Sequence, residues 1–151
     1  MVADRATPRA AGETLIAAVE AELARLPEDE RPLLLVGGES LGALGGTAAY
    51  TDLEDMLQRV DGAVWTGMPR IARFWREVVA RRRLGTPEIA PVVDDGRHLR
   101  FAARPRDLLT DITGVALGEW EHPRVVVAQH PSDPVVWWSP CLLYTSPSPR
   151  D

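Results

Sequence analysis

Residues 33 to 46 read LLLVGGESLGALGG, an apolar run that passes without a break into small residues around one serine. Leu33 to Gly37 begins as a strand buried on both faces, the pattern that strands of a parallel sheet show. Gly38-Glu39-Ser40-Leu41-Gly42 matches G-x-S-x-G. With a strand before it and helix-compatible small residues after it, the pattern has the strand–turn–helix setting of a nucleophile elbow. The expected reason for Gly38 and Gly42 is steric: side chains two positions before and after a strained serine would collide with neighbouring backbone. The turn would lift Ser40 Oγ above the carboxyl edge of the sheet. It would also aim the N–H of Leu41 at the place where an oxyanion forms.

Two other glycine loops are excluded by the residues present. A phosphate loop needs G-x-x-x-x-G-K-[ST], and the chain has no Lys. A dinucleotide fingerprint needs G-x-G-x-x-G, and no register of Gly37, Gly38, Gly42, Gly45 and Gly46 supplies it.

The rest of the chain alternates helix and strand signals. Ala11 to Leu26 carries Leu15, Ile16, Val19, Leu23 and Leu26 at helical spacing, which predicts an inward apolar face. Thr51-Asp52-Leu53-Glu54 has capping-box spacing before Leu53, Met56, Leu57 and Val60. Ala63 to Thr66 reads as a second buried strand. Ile71 to Arg82 reads as a basic amphipathic helix with Ile71, Phe74, Trp75, Val78 and Val79 inward. Val92-Val93, Asp94-Asp95-Gly96 and His98 to Ala102 predict a hairpin around an Asp-Gly turn. Asp107 to Glu119 fits a short helix or an irregular segment. Arg124 to Gln129 is a third buried strand. The expected fold class is α/β: a fragment with a mainly parallel sheet, flanking helices and the elbow, and with the hairpin as an insertion. The three buried strands should pair in parallel, in chain order.

The length of 151 residues suits one domain. Net charge is −5, and all 17 basic residues are Arg, so the basic surplus of a nucleic-acid binder is absent. The apolar runs fall far below the roughly 18–20 residues of a membrane helix. Met1 to Gly12 lacks the apolar core of a signal peptide. The single Cys141 allows no intrachain disulfide and no Cys-rich metal site. Composition changes at CLLYTSPSPRD, Cys141 to Asp151. This string resembles the translation of a transposon-end sequencing adapter. The expected organisation is a partial catalytic domain over residues 1–140 and an artefactual tail over 141–151.

A nucleophilic serine needs a base, and the base needs an orienting acid. In this fold class the chain order is Ser, then Asp or Glu, then His. Asp133, in the turn His130-Pro131-Ser132-Asp133-Pro134 after the third strand, is the candidate acid. His98, His122 and His130 all precede it. His98 and His122 read as surface residues, and His130 stands in the wrong order. A base downstream of the last residue is the expected explanation.

Several stretches carry a family resemblance: LPEDERPLLLVGGESLGALGG, DLEDMLQRVDGAVWTGMP, FWREVVARRRLGTPE with DDGRHLRF, and RVVVAQHPSDPVVWWSP. Over most of Leu26 to Pro140 the chain resembles the catalytic part of a bacterial α/β-hydrolase family whose full-length members carry a membrane-embedded N-terminal region. The resemblance implies Ser40 as nucleophile, Asp133 as acid, and a histidine in a segment past the point, after Pro140, where the chain breaks off. It also implies upstream strands and a loop giving the second oxyanion N–H. Gly37 departs from a position that is more often aromatic, and Met68-Pro69-Arg70 replaces a more apolar segment.

The resulting expectation is a serine hydrolase acting on an acyl ester or thioester, lipid esters among them, and inactive as this fragment. It uses no cofactor, no metal and no nucleic acid, and its parent reaches the membrane through its missing N-terminal region. Acyl transfer on the same triad is an alternative. Another is a non-catalytic module for binding or membrane-complex assembly, using Trp137, Trp138 and the Arg-rich stretch Arg70 to Arg83.

Overall fold

The computed structural model describes residues 6–130 together with Ser132, Asp133 and Val136. The pair Trp137 and Trp138 and the proposed tail at 141–151 lie outside the described residues.

A four-stranded parallel sheet carries the architecture, with spatial order β1-β2-β4-β3. Its strands are β1 (Leu35–Glu39), β2 (Gly62–Thr66), β3 (Leu99–Ala102) and β4 (Arg124–Ala128). The helices are α1 (Ala6–Leu23), α2 (Leu41–Ala48), α3 (Leu53–Arg59) and α4 (Arg73–Ala80). The register aligns Val36 with Ala63, Ala63 with Val125, and Val125 with Leu99. Strand alternation then puts Ala63, Trp65, Val125, Val127, Leu99 and Phe101 on one face, and all of them are buried. Leu44, Met56, Phe74, Trp75 and Val78 from the helices complete the core cluster. Trp75 of α4 meets Phe101 of β3 edge-on at 5.4 Å. Leu35 and Val64, on the opposite face, are exposed.

The three expected strands pair in parallel and in chain order, as the sequence implies. However, β1 begins at Leu35 rather than Leu33 and is not buried on both faces, because one face of the sheet is left uncovered and Leu33 and Leu35 are exposed. The expected hairpin does not form. Leu99–Ala102 pairs in parallel with β4 and closes the far side of the sheet. Asp94, Asp95 and Gly96 all take positive φ, forming a tight 3-10 turn rather than a hairpin loop. Val92 and Val93 are buried in the core instead of lying along β3. The long excursion from 103 to 123 returns the chain to the amino end of the sheet, as a parallel partner requires.

Two helices differ in detail from their sequence signals. In α3 the N-cap is Asp52, whose carboxylate accepts the Asp55 N–H, while the Asp55 carboxylate accepts the Thr51 N–H at 2.8 Å. The cap therefore sits one residue later than the Thr51–Glu54 spacing suggests. In α1 only Ile16 is buried, and Leu15 is 63% exposed. The helix packs on α2 through glycine: a Cβ on Gly12 would stand 2.1 Å from the Gly45 carbonyl oxygen. That contact aligns α1 with α2 and leaves its remaining apolar side along an open groove of about 630 Å³ beside β1. Arg59 of α3 ties α1 down by a two-pronged ion pair to Glu20, at 2.8 and 2.9 Å.

Candidate functional site

Ser40 is the single residue between β1 and α2. Its backbone sits at φ 53 and ψ −110, a region that residues with a Cβ rarely occupy. Strain of this kind costs about 1–3 kcal/mol and persists only where surrounding structure enforces it. The enforcement is visible on both sides. The Ser40 N–H donates to the Thr66 carbonyl at the end of β2, and the Ser40 carbonyl accepts the Leu44 N–H in the first turn of α2. The hydroxyl makes no capping hydrogen bond. Leu41 is the first residue of α2, so its N–H has no intrahelical acceptor and lies at the positive end of the helix.

The two elbow glycines differ. A Cβ on Gly38 would lie 2.5 Å from the Gly42 carbonyl carbon and 2.6 Å from its oxygen, so Gly38 admits no side chain without a backbone shift. A Cβ on Gly42 would meet nothing within 4 Å. The collision expected two residues after the serine does not occur among the described residues. The close approach is one-sided, because the Gly42 carbonyl fills the space where a Gly38 side chain would stand.

Asp133 follows β4 by five residues, and its N–H donates to the His130 carbonyl. All four strands run in parallel, so their carboxyl ends share one edge, which holds Ser40 after β1 and Asp133 after β4. The loops at that edge are cross-linked. The Gly67 N–H donates to Ala128, and the Arg70 N–H donates to Val136, which brings the segment after β4 back toward the loop after β2. Met68, one of the departures from the family pattern, is fully buried in the core.

The histidines divide by edge. His98 immediately precedes β3 and His122 lies just before β4, so both are at the amino edge, opposite Ser40. His98 is occupied there, with Nδ1 3.0 Å from the Pro123 carbonyl oxygen. Only His130 of the three lies at the carboxyl edge. It is exposed, and its Nδ1 takes the Ser132 N–H and lies 2.8 Å from the Ser132 hydroxyl.

The sequence reading passed over Gln129. Its side-chain amide is buried, at 7% exposure, and neither Oε1 nor Nε2 has a hydrogen-bond partner. Strand alternation carried the signal: Val125, Val127 and Gln129 occupy one register, so a polar residue was due on the buried face. Among the described residues no group of three or more His, Cys, Asp or Glu forms a metal cage, and no helix is long and apolar enough to cross a membrane.

A sequence profile described as the alpha/beta-hydrolase family matches residues 1–149. No curated protein and no solved structure matches the chain. The profile covers nearly all of the sequence, and the parallel sheet with its strand–serine–helix turn agrees with it. The chain belongs to the alpha/beta-hydrolase family.

Proposed function

We propose that the chain carries the nucleophile and acid of a serine hydrolase acting on an acyl ester or thioester. The observation that supports this most directly is the strained backbone of Ser40 between β1 and α2. Strain of this kind concentrates at functional turns, and here the β1–β2 ladder and the first turn of α2 hold it in place. In the proposed reaction Ser40 Oγ attacks the acyl carbonyl, and its proton passes to a histidine base. The Leu41 N–H supports the oxyanion. As the tetrahedral intermediate collapses, the base returns the proton to the departing alcohol or thiol. Water then cleaves the acyl-enzyme by the same route. Asp133 orients the base. No histidine follows Asp133 among the 151 residues. Attachment of a parent protein to a bacterial membrane belongs to the same proposal and rests on the resemblance of Leu26 to Pro140.

The absence of a histidine after Asp133 in these 151 residues makes the test specific. p-Nitrophenyl acetate hydrolysis by this chain should equal that of Ser40→Ala. Added imidazole, at a pH where it is neutral, should raise the rate of the parent chain above that of Ser40→Ala. Equal rates with imidazole present would count against Ser40 as nucleophile. They would favour the second reading, a non-catalytic hydrolase-like module. Acyl transfer would use the same Ser40 and Asp133, with an alcohol in place of water.

A further inference from the structure

The unpartnered Gln129 amide lines a cavity of about 60 Å³ that runs along β3 from Gly96 to Ala103. The space exceeds the ~10–15 Å³ that one ordered water requires. Leaving both a donor and an acceptor of one buried amide unpaired is costly, and a ligand offering both repairs it. Ala103, Asp107, Thr110, Asp111 and Ile112 line this cavity and also a larger cleft of about 390 Å³. The small cavity is therefore the inner end of the cleft.

The charge in the cleft is asymmetric. Its carboxylates are already engaged: Asp107 accepts the N–H groups of Ala103 and Arg104, and Asp111 accepts Thr113, Val115 and Arg83. The cations are freer. Arg104 makes no ion pair among the described residues, and Arg106 reaches Asp107 only at 3.7 Å. His130, also lining the cleft, uses Nδ1 for Ser132 and leaves Nε2 uncommitted.

We propose that this cleft binds the alcohol portion of the ester, an anionic polyol of the glycerol-phosphate class, with a hydroxyl on the Gln129 carboxamide and the phosphate at Arg104 and Arg106. This rests on the hydrolase reading of Ser40. Ser40 follows β1, two strands from Gln129 after β4 and three from Arg104 and Arg106 after β3, about 10 and 15 Å at the usual strand spacing. An ester whose acyl carbonyl is at Ser40 extends its alcohol along this edge toward the cleft. A free polyol phosphate and a phosphatidylglycerol headgroup share this chemistry.

The test is binding, so it does not depend on turnover. Glycerol 3-phosphate, inorganic phosphate and phosphatidylglycerol vesicles are titrated separately into the isotopically labelled chain, and the Gln129 side-chain amide signals are followed by NMR. Glycerol 3-phosphate should shift those signals and saturate. Gln129→Met should weaken binding roughly tenfold, the loss expected when a buried polar contact is removed. Arg104→Ala combined with Arg106→Ala, on the exposed surface, should also weaken it, and this keeps the test decisive if the Gln129 variant fails to fold. Gln129-dependent binding to vesicles but not to glycerol 3-phosphate supports the lipid source, and the reverse pattern the free one. Inorganic phosphate binding as tightly as glycerol 3-phosphate, with no effect at Gln129, would overturn the proposal. So would the absence of any shift with all three. Acylation at Ser40 is read separately, so failure here leaves the hydrolase reading standing, and failure there leaves any binding at Gln129 intact.

Discussion

The Ser40 N–H donates to the Thr66 carbonyl oxygen at 2.9 Å, one strand away. The bond extends the ladder between β1 and β2 by one residue, past Glu39 opposite Thr66. The chain is thereby held extended up to the serine and must reverse within that residue to start α2. The positive φ of Ser40 is the geometric consequence.

Replacing Ser40 should accordingly separate strain from chemistry. Ser40→Gly removes the Cβ that makes φ 53 costly, so it should be more stable than Ser40→Ala by about 1 kcal/mol. Urea denaturation of the two variants measures the difference. Equal midpoints would mean that the turn relaxes in solution.

The elbow glycines should respond oppositely. Gly38→Ala drives a Cβ into the Gly42 carbonyl and should destabilise the chain by about 1–3 kcal/mol or more. Gly42→Ala meets open space inside a helix and should stabilise it by up to about 1 kcal/mol. Thermal melts of both variants check the contrast, and a comparable loss in each would contradict it.

Tyr50 is fully buried, with the Arg59 guanidinium 4.8 Å from its ring centre and no hydrogen-bond partner for its hydroxyl. Burial pushes its ionisation up to about 12. Tyr50→Phe removes an unsatisfied polar atom and keeps the ring. It should be neutral or stabilising, where loss of a buried hydroxyl with a partner would cost about 1 kcal/mol. Chemical denaturation reads the sign.

Acid should loosen the helix contacts. The hydrogen bond from Arg81 holds the Glu54 carboxyl below its ordinary range. Asp111 is lowered by the Thr113 hydroxyl, with the Val115 and Thr113 N–H groups and Arg83 adding to it. A depressed folded-state pKa gives stability that is present above the ordinary carboxylate value. That stability is lost as pH falls through the lower folded value. Melting temperature should thus fall as pH drops below about 4. Arg81→Ala should flatten part of that fall, and a profile identical to the parent's would rule out the Arg81–Glu54 pair as a contributor.

The local chemistry of the elbow was legible because one short segment encodes it: LLLV, then GGESLG, signals strand, turn and helix in order. The parallel order of β1, β2 and β4 was legible because each reads as an unbroken apolar run, but burial on both faces was not, since Leu35 and Val64 face outward. β3 was misread because Val92-Val93 and Leu99–Ala102 flank an Asp-Gly turn that looks complete in itself. Its real partner lies across the excursion from 103 to 123, and that choice is made by core packing, with Phe101 against Trp75. The exposure of Leu15 was hidden because periodicity shows that a helix has an apolar side, not whether anything covers it. Gln129 was hidden by composition: one polar residue after VVVA reads as the end of a strand until register places it inward.

The most direct test of Ser40 as nucleophile is mass spectrometry of the chain after incubation with p-nitrophenyl acetate and imidazole, with proteolysis to locate the acyl group. The expected result is an imidazole-dependent acetyl group on the peptide carrying Ser40, absent from Ser40→Ala. An unmodified Ser40 in folded protein, or an acetyl group that appears equally in Ser40→Ala, would contradict it.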